Sequence, residues 1–411
     1  MKIQKFKIDG YKSLKSLEVS GLAKINMLYG YNNSGKSNIL KALEMIFKKK
    51  SDPGGAQVRV RGEQGDTGMD FGSFSKGILE NTGFLFNLLE AKQKIEFEVT
   101  IILLKSEYKS MMNEAYDDFA RLYFVGNNHD EIPAVIKGEI LPLDSATAEF
   151  NVTSVLVNGK SVLELNVNKE RVYFQHIAGA KPAEAIHGQG YEIVQNFLDY
   201  FDDAVLLMDN DRFFGTEYEG DVKFDDFTTK TFKQWFYKMY LNPGMFPTYK
   251  ELVEFIKQFK VNVDPKNAEL KACEANSPLS KMGVGFSKNE QNEINIMFES
   301  ANKRLPLDSF GTGIHQILYV LSKIFVSNAK IILIEELELN LSPRYQGELL
   351  KHLNKLIGTK LDQVFFTTHS KYFSFRNDFS IYELSLNAVG NSQCKKVTSP
   401  NRGFFNARAL D

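Results

Sequence analysis

The sequence predicts an α/β fold: a mixed, mostly parallel sheet with an antiparallel β lobe and an inserted helical lobe. Three observations predict it. The apolar run "AKINMLYG" passes through a glycine-rich loop, Gly30 to Asn38, into "SNILKALEMIFKKK", whose apolar residues recur at helical spacing. A second run, Ile331 to Ile334, is wholly apolar, as suits a parallel strand covered on both faces. Between them, alternating runs such as "KIEFEVTIIL" give way to stretches of helical spacing. The expected division is 1–185 for the first half of the parallel domain with the antiparallel lobe, 186–275 for the helical lobe, and 276–411 for the second half.

Composition narrows the class. The chain has 411 residues, 43% apolar and 25% charged, which is ordinary globular usage with room for one large domain and an insertion. The formal net charge of −1 gives no general attraction to nucleic acid or anionic lipid. Residues 1–50 differ, with eleven Lys against three Asp or Glu, about +8. Cys273 and Cys394 form no C-x-x-C pair, so neither a disulfide scaffold nor a cysteine zinc site is expected. No apolar run approaches the ~20 residues that span a bilayer. The start "MKIQKFKIDG" alternates instead of showing an apolar signal core, so a mature cytoplasmic beginning is expected.

The first loop reads Gly30-x-x-x-x-Gly35-Lys36-Ser37. Glycines let backbone N–H groups converge on phosphate oxygens, and a helix start adds its dipole. Lys36 supplies a point charge for the β and γ phosphates, and the Ser37 hydroxyl suits Mg²⁺. Gly30, Asn32, Asn33, Ser34, Gly35, Lys36, Ser37 and Asn38 are therefore the candidate ATP-binding residues of the loop.

The apolar run Ile331–Ile334 ends in Glu335 and Glu336, at the end of a strand where open α/β sheets bind ligands. The first acid suits Mg²⁺, usually through water; the second suits orienting or deprotonating the attacking water. Another short strand, Val364 to Phe366, ends in Thr367, Thr368, His369 and Ser370, which puts an imidazole within reach of a γ phosphate. Before these, Ser309, Gly311, Thr312 and Gly313 precede a helical run through Phe325, a second anion-reading helix start. One loop does not need two such starts, so the second fits a nucleotide held by another copy of the chain.

In this order, the loop, the glycine-rich helix start, the acidic strand and "TTHS" resemble the ABC-type ATPases of the RecF, SMC and OLD (overcoming lysogenisation defect) group. The turn Tyr11-Lys12-Ser13 resembles that group's aromatic-basic-Ser start, which carries Lys12 over as a nucleotide-side residue. "IILIEELELNLSP" is similar to the OLD-type run, although Leu337 replaces its usual proline and Ser342 its histidine, and Glu335 stands where many relatives carry Asp. The resemblance implies an ABC-type P-loop ATPase head split in sequence, with ATP and Mg²⁺ sandwiched head-to-tail between protomers. Glu336 and His369 would then be catalytic, Ser37 and Glu335 metal-side, and Ser309 or Thr312 the phosphate-reading hydroxyl of the second copy. Gln175 is a candidate for the family's glutamine loop, and Arg212 for a further phosphate-side group.

The middle of the chain supplies the rest. Residues 51–72 are rich in Gly and Asp without hydrophobic period, hence a loop. Asn158-Gly159 between alternating runs predicts a hairpin, and "VGFSKNEQNEINIMF" a second one. "GYEIVQNFLDYF", "TTKTFKQWFYKMYL" and "TYKELVEFIKQF" have helical spacing. Phe232, Trp235, Phe236 and Tyr240 form an aromatic stripe that reads either as core or as a partner surface. No long heptad array separates the two motif halves, which disfavours an SMC-like DNA tether. The forty or so residues after His369 are expected to finish the sheet, leaving any nuclease effector to a separate polypeptide. The family then offers two functions: a regulatory ATPase subunit like the OLD-like proteins of antiphage systems such as Septu and PARIS, or a RecF-like clamp on duplex DNA.

Overall fold

A computed structural model of the chain describes residues 1–47, 74–80, 94–104, 106–107, 130–142, 147–164, 200–201, 203–210, 217, 228–258, 283–300, 303–370, 373 and 379–398. The expected loop at 51–72, Gln175, Arg212, Cys273 and most of the helical run at 190–201 lie outside these residues.

In chain order, β1 (Lys2–Asp9), β2 (Leu17–Ser20) and β3 (Ile25–Gly30) lead into α1 (Lys36–Phe47). Next come β4 (Phe74–Glu80), β5 (Ile95–Leu104), β6 (Glu131–Pro142), β7 (Thr147–Val157), β8 (Lys160–Glu164) and β9 (Val205–Met208). Helices α2 (Phe232–Leu241) and α3 (Phe246–Lys257) precede β10 (Gly283–Lys288), β11 (Ile294–Ser300) and β12 (Lys303–Pro306). The last stretch holds α4 (Thr312–Val326), β13 (Ile331–Ile334), α5 (Pro343–Leu356), β14 (Gln363–Thr368), β15 (Phe379–Leu386) and β16 (Ser392–Lys396). Contacts divide the chain into two compact units, Met1–Leu206 with Asp378–Ser399, and Leu207–Asn377 with Pro400–Asp411.

The first unit contains a seven-stranded antiparallel sheet in the order β2-β1-β5-β6-β7-β4, with β8 also paired to β7. Alternation in the sequence sets its faces. Phe6, Val99 and Ile136 stand in register and are buried, as are Ile95, Phe97, Ile101 and Leu103 along β5. The outward positions carry charge pairs: Lys5 lies 2.7 Å and Lys7 3.3 Å from Glu18, and Lys137 lies 3.2 Å from Glu98. Asn158 (φ 52°) and Gly159 (φ 75°) both take the left-handed conformation that a two-residue hairpin turn needs, and β7 and β8 pair on either side. Beside this sheet, β15 runs parallel to β3 and antiparallel to β16.

In the second unit β13 and β14 are parallel, with Leu333 opposite Phe365. All four residues of β13 and all six of β14 are buried, which is why the sequence shows continuous apolar runs there instead of alternation. Strands β10, β11 and β12 form an antiparallel meander. Asn289 closes its first turn, its Oδ1 accepting from the N–H groups of Gln291 and Glu293.

The aromatic stripe resolves into core. Phe232, Trp235 and Phe236 are fully buried, with Phe232 edge-on to Tyr319 of α4 at 6.0 Å and Phe236 against Phe286 at 5.7 Å. Each such ring contributes on the order of 1.5–3 kcal/mol by burial. Only Tyr240 of the four keeps an exposed edge, 41%, while its ring meets Tyr249 and Phe286 at 5.3 Å. No helix among the described residues is long and apolar enough to cross a membrane.

Candidate functional site

The glycine-rich loop lies in the first unit, between the end of β3 and the start of α1. Asn33 (φ 61°) and Gly35 (φ 95°) are left-handed, curling the backbone as an anion-binding nest requires. Helix α1 begins at Lys36, so its unpaired N–H groups open onto the loop. The Lys36 ammonium is 6% exposed and donates to the carbonyl oxygens of Gly30 (2.8 Å) and Tyr31 (2.7 Å). It is thereby tied across the loop. Ser37 and Asn38 are half-buried on the first turn, Asn32 and Asn33 are exposed, and the Ser34 hydroxyl is buried with no hydrogen-bond partner among the described residues.

Two glycines are required here by space. A Cβ at Gly30 would stand 2.3 Å from the Leu384 carbonyl oxygen, and one at Gly35 would stand 2.0 Å from Ser392 Oγ. The loop is thus seated directly on the β15–β16 hairpin. The turn before β2 joins it: Asn38 Nδ2 donates to Ser13 Oγ at 2.9 Å. Lys12, adjacent, is left-handed (φ 48°), and its ammonium lies 5.4 Å from the Tyr11 ring centre.

The acids and the histidine come together in the second unit, where β13 and β14 end side by side. The Glu335 N–H donates to the Met208 carbonyl at 2.9 Å, and Glu335 is buried. Glu336 is half-buried and takes φ 46°, a left-handed conformation uncommon in a residue with a Cβ. Thr367 fixes it, its hydroxyl accepting from the Glu336 N–H at 2.8 Å and its carbonyl from the Leu337 N–H at 3.1 Å. Strain held in place by surrounding bonds is typical of sites under functional constraint. His369 is exposed at the end of β14, and its backbone N–H donates to Glu338 Oε1.

The second helix start is in the same unit. Ser309 ends a 3₁₀ turn (Leu307–Ser309), and Gly311 is the N-cap of α4. Ser309, Gly311 and Thr312 are exposed, so both candidate hydroxyls face solvent. Gly313 is buried, and a Cβ there would meet the Asn340 carbonyl oxygen at 2.8 Å. Gln316 Nε2 donates to the Leu337 carbonyl at 3.3 Å, so the first turns of α4 rest on the segment that follows the acids. His315 Nε2 bonds the Leu307 carbonyl at 3.0 Å, and burial holds its pKa below the usual value.

Taken unit by unit, the donor chemistry suits the two halves of a magnesium nucleoside triphosphate: phosphates at the loop, a divalent cation at the strand end. The loop offers a caged ammonium, a hydroxyl on a helix start and glycines that leave no room for a side chain; the strand end offers one buried and one half-buried carboxylate. Three contributors escaped sequence reading: Ser392, Glu338 and Gln316. Glu338 lies two residues past the acids, which is a local signal. Ser392 has none, since its partner Ser13 is 379 positions away.

A family model described as an AAA ATPase domain matches residues 1–373. A Helicobacter pylori protein described as an ATP/GTP phosphatase is 24% identical over 388 residues, covering 90% of this chain and 86% of that one. Among solved structures, the SMC head domain from Thermotoga maritima is 12% identical and covers 97% of this chain and 100% of that one, with a TM-score of 0.44. The Smc head with an extended coiled coil bound to the C-terminal domain of ScpA, derived from Pyrococcus furiosus, is 12% identical, with 99% and 98% coverage and a TM-score of 0.44. At those scores the likeness carries no functional weight.

Proposed function

The chain belongs to the AAA ATPase domain family, and from that premise we propose that it is the ATP-switched regulatory subunit of a bacterial antiphage defence complex, OLD-like in kind, acting on a separate effector such as a nuclease. It is an ATP-hydrolysing enzyme; what the hydrolysis controls is the proposal.

In this reading Lys36 holds the β and γ phosphates, with the loop N–H groups around them and Lys12 nearby. Ser37 and Glu335 would hold Mg²⁺, which would supply neutralisation of the phosphate charge. Glu336 orients the attacking water and accepts its proton, and His369 polarises that water from the γ-phosphate side. Ser309 to Gly313 of a second copy caps the same nucleotide, so ATP binding closes a homodimer and hydrolysis opens it.

The observation that supports this best is the start of α4. It is a glycine-flanked helix start, open to solvent at Gly311 and Thr312, yet backed tightly at Gly313 by Asn340. A single phosphate loop has no use for a second, rigid anion-reading surface; a pair of copies does. The test is light scattering on the Glu336→Gln protein with and without Mg-ATP, followed by affinity capture from its host with ATP present. ATP-dependent dimers that retain a nuclease, released when the parental enzyme turns over, support the proposal. A protein monomeric in every nucleotide state overturns it.

The alternative, a RecF-like clamp on duplex DNA, draws on the basic first fifty residues. Lys5 and Lys7 share Glu18, which the balance of about +8 already counts, and Lys2 is 3.6 Å from Glu131 outside that stretch, so these pairs leave most of the excess in place. DNA binding that falls steeply with salt would favour the clamp.

A further inference from the structure

We propose that Ser392, at the head of the last described strand, is a positioning residue for the phosphate loop, so that nucleotide affinity depends on the chain's C-terminal hairpin. The inference rests on Gly30–Ser37 being the nucleotide loop and adds a residue that no motif contains.

The hairpin is built to hold Ser392 still. Asn387 Oδ1 accepts from the N–H groups of Val389 (3.0 Å) and Asn391 (2.9 Å), and the Asn387 N–H donates to the Asn391 carbonyl (2.9 Å). Gly390 takes φ 87°, which completes a turn closed by its own side chain. Ser392 follows at once and is 3% exposed. Its N–H donates to the Ser13 carbonyl at 2.7 Å, and the two hydroxyl oxygens are 2.7 Å apart. Ser13 Oγ also accepts from Asn38 Nδ2, so the bonds run from the hairpin through Ser13 to the first turn of α1.

The other side of Ser392 touches the loop itself. Its Oγ occupies the space where a Cβ on Gly35 would stand, 2.0 Å away, and Ser13 Oγ lies 3.0 Å from that same point. Gly35 is the left-handed residue that turns the loop into the helix. Ser392 therefore bounds the loop at Gly35 and, through Ser13, ties the helix start behind it. Backbone N–H groups can serve a phosphate only if the curvature of the loop is held to within a fraction of an ångström. A hydroxyl that fills the space behind Gly35 while bonding to the strut that fixes Asn38 supplies that constraint. Ser392 and Ser13 act through the loop and not on the bond that breaks. The expected effect is on affinity and not on the chemical step.

The test is equilibrium binding of a fluorescent ATP analogue, with steady-state ATPase kinetics, on the full chain carrying Ser392→Ala, Ser13→Ala, both together, or Lys36→Ala. Ser392→Ala should raise Kd and KM roughly tenfold, the size set by losing one buried hydroxyl bond, with kcat at saturation within about twofold of parental. Ser13→Ala removes the same bond together with the one from Asn38 Nδ2, so its effect should be at least as large. The double variant should be little worse than Ser13→Ala alone, because the bond lost in Ser392→Ala is already gone. Parental affinity in Ser392→Ala, while Lys36→Ala binds nothing, overturns the role of Ser392 and leaves the loop assignment standing. An equal fall in kcat and melting temperature with unchanged Kd marks Ser392 as merely structural and also overturns it. Parental binding by Lys36→Ala overturns the loop assignment, and the role of Ser392 with it.

Discussion

Glu338 Oε1 accepts the backbone N–H of His369 at 2.5 Å, joining the segment after the acidic pair to the residue at the end of β14. The other carboxylate oxygen of Glu338 is buried and has no hydrogen-bond partner among the described residues. Next door, Ser370 Oγ donates to Gln346 Oε1 at 2.6 Å, while Gln346 Nε2 donates to the Leu341 carbonyl at 2.8 Å. His369 is thus held by its backbone at the end of β14, and the proposed function gives its ring the task of polarising the attacking water. Glu338→Ala should lower kcat roughly tenfold or more, with little change in Kd, since a hydrogen bond to a charged group is worth about 1.5–3 kcal/mol. Glu338→Gln keeps an acceptor oxygen and should retain most activity. Steady-state kinetics on the pair checks the expectation; equal losses in both variants would show that charge, not the bond to His369, is what counts.

Glu336 is held at φ 46° by its own N–H bond to the Thr367 hydroxyl and by the Leu337 N–H bond to the Thr367 carbonyl, so its backbone is placed by the fold before any ligand arrives. Replacing it with Gln keeps the shape and removes the base. Turnover should fall on the order of 10²-fold or more, as loss of a general base does. Nucleotide binding should persist, ATP should remain unhydrolysed, and association between copies should strengthen. Single-turnover kinetics and light scattering read the two effects separately. Turnover at the parental rate would remove Glu336 from the role.

These elements were unevenly legible in the sequence. Ile331–Ile334 and Val364–Phe366 announce themselves because strands covered on both faces need unbroken apolar runs. Asn158-Gly159 announces its hairpin because few other pairs take two left-handed conformations cheaply. The loop at Gly30–Ser37 is legible for the same kind of reason: its function dictates its backbone. What stayed hidden was relational. Gly313 reads as part of a phosphate-binding helix start, yet its buried position and the nearby Asn340 carbonyl make it a packing residue as well. The lysines of β1 read as a basic patch, and only the register of β1 with β2 puts Lys7 opposite Glu18. Likewise, nothing near Ser13 in sequence points to Ser392. Local pattern reports what the backbone must do; pairings across hundreds of residues leave no local trace.

His315 provides a pH expectation. Its ring is buried on α4, with Asp308 and Lys233 as the charged groups acting on it, and burial is the main cause of its lowered pKa. The folded state therefore prefers the neutral ring, whereas the unfolded chain takes up a proton near pH 6.5. Stability from this site is present above that pH and is lost as pH falls toward the folded pKa. Buried His352, also lowered chiefly by burial, acts in the same direction. Melting temperature should drop between pH 7 and pH 5, and His315→Gln should flatten part of that slope. An unchanged slope would mean that the imidazole takes up its proton equally in the folded and unfolded states over this range.

The shared-site proposal is best tested at Gly311, and the structure gives the reason. Gly313 cannot accept a side chain without displacing the Asn340 carbonyl, so a charge placed there would disturb the fold of α4 as well as any phosphate. Gly311 is exposed at the N-cap, its φ of −62° suits any residue, and a Cβ there meets nothing within 4 Å. Gly311→Glu should fold normally, bind nucleotide through its intact loop, and fail to hydrolyse it, because the new carboxylate faces the partner's phosphates. Lys36→Ala should be inactive for the opposite reason, having lost the loop cation. Mixing the two inactive proteins assembles one composite pocket with an intact loop facing an intact cap, and a second pocket with both defects. ATPase activity should then return, approaching about one quarter of the parental rate at equal ratio if copies pair at random and sites work independently. Activity should also rise and fall with the mixing ratio, peaking near equality. No recovery at any ratio, with both proteins folded, would mean that each copy completes its own site and that the exposed start of α4 serves some other ligand.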